Sequence, residues 1–113
     1  MIRATLIRDQ EGIPRRLTVT GHAGQGRYGE DIVCAAASAL VETLVIGLST
    51  ILRQPPAGTT DPGDADLTFA IPVSPEARAV IETIAAGLMD LAQTQPRHVA
   101  WRQVERRYPA SAR

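Results

Sequence analysis

Residues 32–52, IVCAAASALVETLVIGLSTIL, decide the fold because they form the longest apolar stretch of the chain. The stretch is typical of a buried helix in a soluble protein and not of a membrane span, since polar residues interrupt it. We expect Asp31 to cap the N-terminus of this helix. A helix that is apolar nearly all the way round has to be covered on most sides, in part by a sheet and in part by a dimer interface. The interruptions are Ser38, Glu42, Thr43, Ser49 and Thr50.

The residues before this helix predict a β-hairpin. Residues 1–8 and 14–21 both alternate between apolar and polar side chains, and Asp9–Gly12 between them has the composition of a turn. A glycine-rich stretch over residues 21–29 then predicts a loop that leads to the helix.

The residues after the helix predict a loop over 53–63, a strand, a second helix and a last strand. Alternating Leu67, Phe69 and Ile71 mark the third strand, and Val99 and Trp101 mark the last one. The second helix is amphipathic, with Ser74 as its cap, and ends before Pro96. Its apolar face consists of Ala77, Val80, Ile81, Ile84, Ala85, Leu88, Leu91 and Ala92.

The predicted element order is therefore β-β-α-β-α-β. This order indicates an α+β fold, in which a mainly antiparallel sheet packs with two helices in a single domain over residues 1–113.

The composition excludes several classes of function. The formal net charge of zero lacks the positive field that holds a nucleic-acid backbone, so no direct nucleic-acid partner is expected. A single cysteine cannot form an internal disulfide or a cysteine-rich zinc site, which fits a reducing cytoplasm. The N-terminus lacks the pattern of a secretory signal, and His98 has no second ligand at metal-binding spacing. We expect no metal, no cofactor and no membrane association.

Cys34 is the residue with the clearest chemical potential. With Asp31 as N-cap, it lies in the first helical turn, where the helix dipole favours a thiolate. The charge of Asp31 and apolar surroundings oppose this effect, so a base is needed nearby. His22 is the candidate, because the loop brings the chain back to the helix start. By residue type alone, the more usual role of such a cysteine is inert packing in a helix contact, and His22 would then be a turn residue.

Two further polar residues, Ser38 and Asp31, each have two alternative roles. Ser38 follows Cys34 by one helical turn and either supports the thiol or returns its hydrogen bond to the helix backbone. Asp31 either orients His22 or only caps the helix.

The segments GHA (residues 21–23) and GEDIVCAAASAL (residues 29–40) together resemble the signature of the ribosomal-processing cysteine proteases, the Prp family. The likeness extends over essentially the whole chain. It implies that His22 and Cys34 form the catalytic dyad. It also implies that supporting or substrate-binding residues lie near them, namely Gly21, Ala23, Asp31 and Ser38.

The same resemblance implies a homodimer and a protein substrate. The substrate of the family is the N-terminal extension of large-subunit ribosomal protein twenty-seven, which is removed during ribosome assembly. The glycine-rich loop would then be a flexible flap that orders when the peptide binds. Two alternatives compete with proteolysis: a non-catalytic, ribosome-associated dimeric binding protein in which Cys34 only packs, and a redox-sensing thiol.

Overall fold

The structure, a computed structural model, describes residues 1–21, 30–61 and 63–109, with the backbone alone for Glu30 and Asp31. The predicted α+β class is confirmed: a five-stranded, mainly antiparallel sheet packs with two helices. The elements are β1 (Ile2–Arg8), β2 (Pro14–Thr20), α1 (Glu30–Ile46), a short π-helix (Gly47–Ile51), β3 (Ala57–Asp61), β4 (Asp64–Thr68), α2 (Pro75–Thr94) and β5 (Val99–Glu105).

The strands lie in the order β3-β4-β2-β1-β5. Neighbours pair antiparallel, except that β5 runs parallel to β1. Alternation along the strands gives the sheet one apolar face, which the helices cover. This core accounts for most of the stability, because each fully buried aliphatic side chain contributes about 1.5–3 kcal/mol. Its sheet residues are Ile2, Ala4, Leu6, Leu17, Val19, Ala65, Leu67 and Val99.

The described residues form one strand more than predicted. The prediction of a loop over residues 53–63 is wrong, because β3 occupies Ala57–Asp61. The third predicted strand begins and ends earlier than expected: β4 includes Leu67, whereas Phe69 and Ile71 lie beyond its end. Pairing with β3 fixes the register of β4, and Pro72 after Ile71 has no N–H to continue it.

Helix α1 differs from the prediction at both ends. It begins at Glu30, so Asp31 is its second residue and not its N-cap, and Cys34 is its fifth residue and lies beyond the first turn. At its other end it widens into a π-helix, in which the N–H of Leu52 donates to the carbonyl of Gly47 at 3.0 Å. By length and composition alone, Ile32–Ile51 would suffice to cross a membrane, a criterion that core helices of globular proteins also meet.

Helix α2 follows the prediction closely. The Ser74 hydroxyl accepts a hydrogen bond from the N–H of Ala77 at 3.1 Å, and Pro75 is the first residue of the helix. The predicted apolar face is the buried one, with Ile81 and Leu88 almost fully enclosed. Capping and amphipathic spacing therefore suffice to place this element.

Two arginines brace the sheet near its edges. Arg8 donates to Gln103 on β5 at 2.8 Å and binds both oxygens of Glu82 on α2, at 2.6 and 2.7 Å. Arg16 on β2 binds both oxygens of Asp66 on β4, at 2.8 and 2.6 Å. The hydrogen bond from Arg16 holds the pKa of Asp66 below its usual range, although burial opposes this shift.

Trp101 is the aromatic residue of β5 that packs against the core, opposite Ala4 of β1. Its indole N–H is buried and meets no acceptor in the part of the chain that the structure describes. The ring is therefore held by apolar packing and not by a polar contact.

Candidate active site

A cavity of about 110 Å³ lies between α1 and the end of the sheet at which β2 and β3 stop. Its floor is apolar, with Val19 and Ala65 from the sheet and Val41 from α1. The helix side of the cavity is formed by Cys34, Ala37, Ser38, Val41 and Glu42. A cavity of this kind, with an apolar floor and a nucleophilic side chain in its wall, is the usual form of a small binding site.

Cys34 is half-buried in this wall. Part of its side chain packs against the core, and part faces the cavity. A substrate in the cavity can therefore reach the thiol without unfolding of the helix, which a fully enclosed packing cysteine would not permit.

Ser38 and Glu42 continue the line of Cys34 along α1 at intervals of one helical turn. Both side chains are exposed, and both residues line the cavity. The spacing that the sequence shows between Cys34 and Ser38 thus places them on one wall.

Gly21 lies at the cavity, directly before His22 in the sequence. Its φ is +92°, and a Cβ at this position would lie 2.3 Å from the carbonyl oxygen of Met1. Its N–H donates to the carbonyl of Gly63 at 3.0 Å, which ties the end of β2 to the β3–β4 turn. Only glycine fits both the conformation and the close approach, so this residue fixes where the chain leaves the sheet.

The structure brings together three of the predicted site residues, Gly21, Cys34 and Ser38. His22 and Ala23, like the predicted flap, lie outside the described residues, and the side chain of Asp31 does as well. Within residues 1–21, 30–61 and 63–109, no group of three or more His, Cys, Asp or Glu side chains could hold a metal ion.

Sequence reasoning missed the residues that the β3–β4 hairpin brings to the cavity. They are Thr60, Asp61, Gly63 and Asp64. The signal was present: the Pro62–Gly63 dipeptide separates a threonine-containing segment from the alternating segment 64–67. A hairpin interpretation of residues 57–68 would have placed both walls of the cavity.

The rim of the cavity is acidic. Asp61 and Asp64 are opposite each other in the β3–β4 pairing, and Glu42 lies on the helix wall. Among the lining residues that the structure describes, no side chain is basic. Because the described lining residues include three carboxylates and no basic side chain, this rim favours cationic or neutral ligands.

Comparisons with known proteins agree with this fold. The profile of the family described as cysteine protease Prp matches residues 1–100. The protein SMU.848 from Streptococcus mutans is 31% identical in its crystal structure, with a TM-score of 0.83 over 94% of this chain and 96% of that one. No curated protein matches the sequence significantly.

Two further crystal structures share the fold. They show the ribosomal processing protease Prp from Staphylococcus aureus, one with a covalently linked product peptide and one with a substrate peptide. Their sequences are 24% and 23% identical to this chain, and their TM-scores are 0.81 and 0.80. In each case the match covers 91% of this chain and 99% of the other.

Proposed function

The chain belongs to the cysteine protease Prp family, and we propose that it removes the N-terminal extension of large-subunit ribosomal protein twenty-seven during ribosome assembly. Cysteine proteases attack the peptide carbonyl with a thiolate. The proteins of this fold from Staphylococcus aureus are ribosomal processing proteases crystallised with substrate and product peptides, which supports a peptide from a ribosomal protein as the substrate.

The observation that carries the proposal is the position of Cys34. It is the only cysteine of the chain, and it lines the cavity at the end of the sheet. A cysteine protease requires a thiol that a peptide can reach, and Cys34 is half-buried with a face on that cavity. We therefore assign it the role of nucleophile.

His22 is the general base in this proposal. The chain has two histidines, and His98 lies before β5, where its carbonyl accepts the N–H of Ile2 at 2.8 Å. His98 is not among the described residues that line the cavity, whereas His22 follows directly on Gly21, which is. The sequence position of His22 thus supports its pairing with Cys34.

The proposed reaction follows the usual course of thiol proteolysis. His22 takes the proton of Cys34, and the thiolate forms a bond to the scissile carbonyl carbon. The C–N bond breaks as His22 protonates the leaving amine, which leaves a thioester on Cys34. Water then hydrolyses the thioester and restores the thiol, so the cycle requires no cofactor.

The proposal includes a homodimer in the cytoplasm. Three large apolar side chains remain exposed on the outer face of α1 and the π-helix: Ile32 at 61%, Ile46 at 56% and Ile51 at 73%. An apolar stripe of this kind supports coverage by a second copy. Sedimentation velocity should give the mass of a dimer for the native chain and that of a monomer for Ile46→Glu.

Cleavage by a Cys34→Ala variant tests the proposed function. We expect the native protein to shorten extended ribosomal protein twenty-seven and the variant to lose about a thousandfold or more of kcat/KM, as for other catalytic nucleophiles. Mass spectrometry of the product gives the cleavage site. Equal cleavage by both proteins would contradict the proposal.

Thiol alkylation tests the pairing with a matched histidine control. We expect iodoacetamide to modify Cys34 more slowly in His22→Ala than in the native protein at neutral pH, because the base no longer promotes the thiolate. His98→Ala should alkylate at the native rate. A slower reaction in His98→Ala alone would move the role of base to that residue.

A further inference from the structure

We propose that the peptide substrate binds as an added β-strand along the free edge of β3, in the groove between that edge and α1. This inference rests on the proposed function, because it concerns how a peptide reaches Cys34. It assigns a substrate-positioning role to the backbone of Thr60, a residue in the stretch that the sequence predicts as a loop.

The first observation is that β3 is an edge strand with an accessible side. In the part of the chain that the structure describes, β3 pairs with β4 alone, and all five of its residues are exposed. Four of them, Ala57, Gly58, Thr59 and Thr60, have small, uncharged side chains. An edge of this kind allows another extended chain to approach the backbone closely.

The register shows which backbone groups of β3 face outward. The N–H of Phe69 donates to Arg15 at 2.9 Å, and the carbonyl of Gly63 accepts from Gly21 at 3.0 Å. Because the bonding direction alternates along a strand, the odd-numbered residues of β4 face β2. Asp64 and Asp66 therefore face β3.

The same alternation continues into β3. Asp61 pairs with Asp64 and Thr59 with Asp66, so these two residues of β3 direct their N–H and C=O groups towards β4. Gly58, which precedes Thr59, and Thr60, which lies between Thr59 and Asp61, direct their N–H and C=O groups to the free edge. Thr60 thus offers one donor and one acceptor to an incoming strand.

Thr60 is also the point at which this edge meets the candidate active site. It lines the cavity on the side of the hairpin, whereas Cys34, Ser38 and Glu42 line it on the side of α1. A peptide hydrogen-bonded to Thr60 would therefore run past the nucleophile. β-Strand addition obtains affinity from main-chain hydrogen bonds and specificity from alternate side chains.

The walls of the cavity indicate which side chains of the peptide they can accept. A peptide side chain that points into the cavity contacts the apolar floor of Val19, Val41 and Ala65. The peptide residues before and after it lie near Asp61 and Glu42 on the rim, which disfavours acidic side chains at those positions. The fitting partner is an extended, uncharged or basic segment with an apolar residue at the cavity.

Replacement of single substrate amides tests the proposal on the native protein. The probe is a peptide that spans the extension and the first residues of mature ribosomal protein twenty-seven, made as a series in which each amide near the scissile bond in turn becomes an ester. Each ester removes one N–H. We expect kcat/KM to fall by about five- to tenfold at every second position, the worth of one hydrogen bond, and little between them.

A pair of variants tests the same contact from the side of the enzyme. Thr60→Pro removes the outward N–H at a position where an edge strand tolerates proline, and Thr60→Val keeps it while the hydroxyl is lost. We expect Thr60→Pro to lose about five- to tenfold more of kcat/KM than Thr60→Val. Alkylation of Cys34 by iodoacetamide should not differ between them, and thermal melting shows that both are folded.

The outcomes separate the two proposals. Cleavage that depends on Cys34 but shows no alternation in the ester series overturns strand addition and leaves the protease assignment intact. Equal kinetics of Thr60→Pro and Thr60→Val, with both variants folded, also overturn it. If the native protein cleaves none of these peptides, the substrate in the proposed function is wrong.

Discussion

The two edges of the sheet are built differently. β3 has five residues with mostly short side chains and borders the cavity of Cys34. β5 has seven residues, pairs along its whole length with β1, and exposes the long polar side chains of Arg102, Gln103 and Glu105. Charged side chains protect an edge strand from pairing with other chains. The difference indicates that the fold blocks one edge and leaves accessible the other, which borders the cavity lined by Cys34.

Both edges nevertheless have firm support behind them. Arg8 joins β5 to α2 through Gln103 and Glu82, and Arg16 joins β4, the neighbour of β3, to β2 through Asp66. The strand with which β3 pairs is therefore tied to β2 by an ion pair as well as by backbone pairing. Support of this kind behind β3 helps to hold its outward N–H and C=O groups in place, which lowers the entropy cost of binding an extended peptide.

The largest expected effect comes from Gly58→Ala, which would disrupt the pairing of β3 with β4. Gly58 has a φ of +120°, and an added Cβ would lie 1.8 Å from the carbonyl oxygen of Asp66. We expect separation of β3 from β4, a loss of about 3 kcal/mol in the free energy of unfolding and a loss of most peptide cleavage. Urea denaturation and the cleavage assay measure the two effects.

Gly12→Ala is the matched control, at the opposite end of the sheet. Gly12 also has a positive φ, +82°, but the nearest atom to an added Cβ is the side chain of Arg78 at 3.9 Å. Backbone strain alone should cost about 1 kcal/mol and leave kcat/KM near the native value. If both alanine variants reduced cleavage equally, the β3 edge would have no special role.

An intermediate effect is expected from Asp66→Asn, which removes the ion pair between β2 and β4, the neighbour of β3. Both side chains of the Arg16–Asp66 pair are partly exposed, so the loss at neutral pH should be only about 0.5–1 kcal/mol. Because the hydrogen bond from Arg16 lowers the pKa of Asp66, the pair stabilises above the ordinary carboxyl pKa and loses this effect as the pH falls through the lowered value.

Thermal melting as a function of pH measures this dependence. The difference in stability between the native protein and Asp66→Asn should stay constant from about pH 5 to 8 and shrink below about pH 4. Asp90→Asn is the control, since Asp90 is exposed and no ion pair to it exists among the described residues. A difference that grew on acidification would show that the pair does not stabilise the fold.

The smallest effect is expected from Arg102→Thr, which makes β5 resemble β3. Arg102 is exposed on an edge that does not border the cavity. Steady-state kinetics should give a kcat/KM within about twofold of the native value, as for surface substitutions in general. A loss comparable to that of Thr60→Pro would mean that both edges bind substrate.

The sequence predicts most strongly where local signals agree with the final packing. Ser74 and Pro75 mark the start of α2, and a regular apolar face marks its course. The alternation of residues 1–8 and 14–21 likewise predicts the β1–β2 hairpin. Cys34 and Ser38 were found as neighbours because their spacing is helical.

What the sequence does not predict depends on pairing between distant segments. β3 buries no side chain, so it lacks the apolar alternation by which strands are recognised, and its hydrogen bonds to β4 are what form it. The contribution of Thr60 and Asp61 to the cavity follows from that hairpin and was missed with it. At the start of α1, Glu30 and Asp31 are adjacent, and propensity alone does not decide which residue is the first of the helix.

The position of Trp101 has a spectroscopic consequence. It is the only tryptophan of the chain, its indole N–H is buried, and β5 lies at the opposite edge of the sheet from β3. Its fluorescence should shift to longer wavelength on unfolding, when water reaches the ring. A peptide added to β3 lies several strands away and should leave the emission unchanged. One intrinsic fluorophore thus reports folding independently of substrate binding, so the stability of every variant proposed above can be followed without a label.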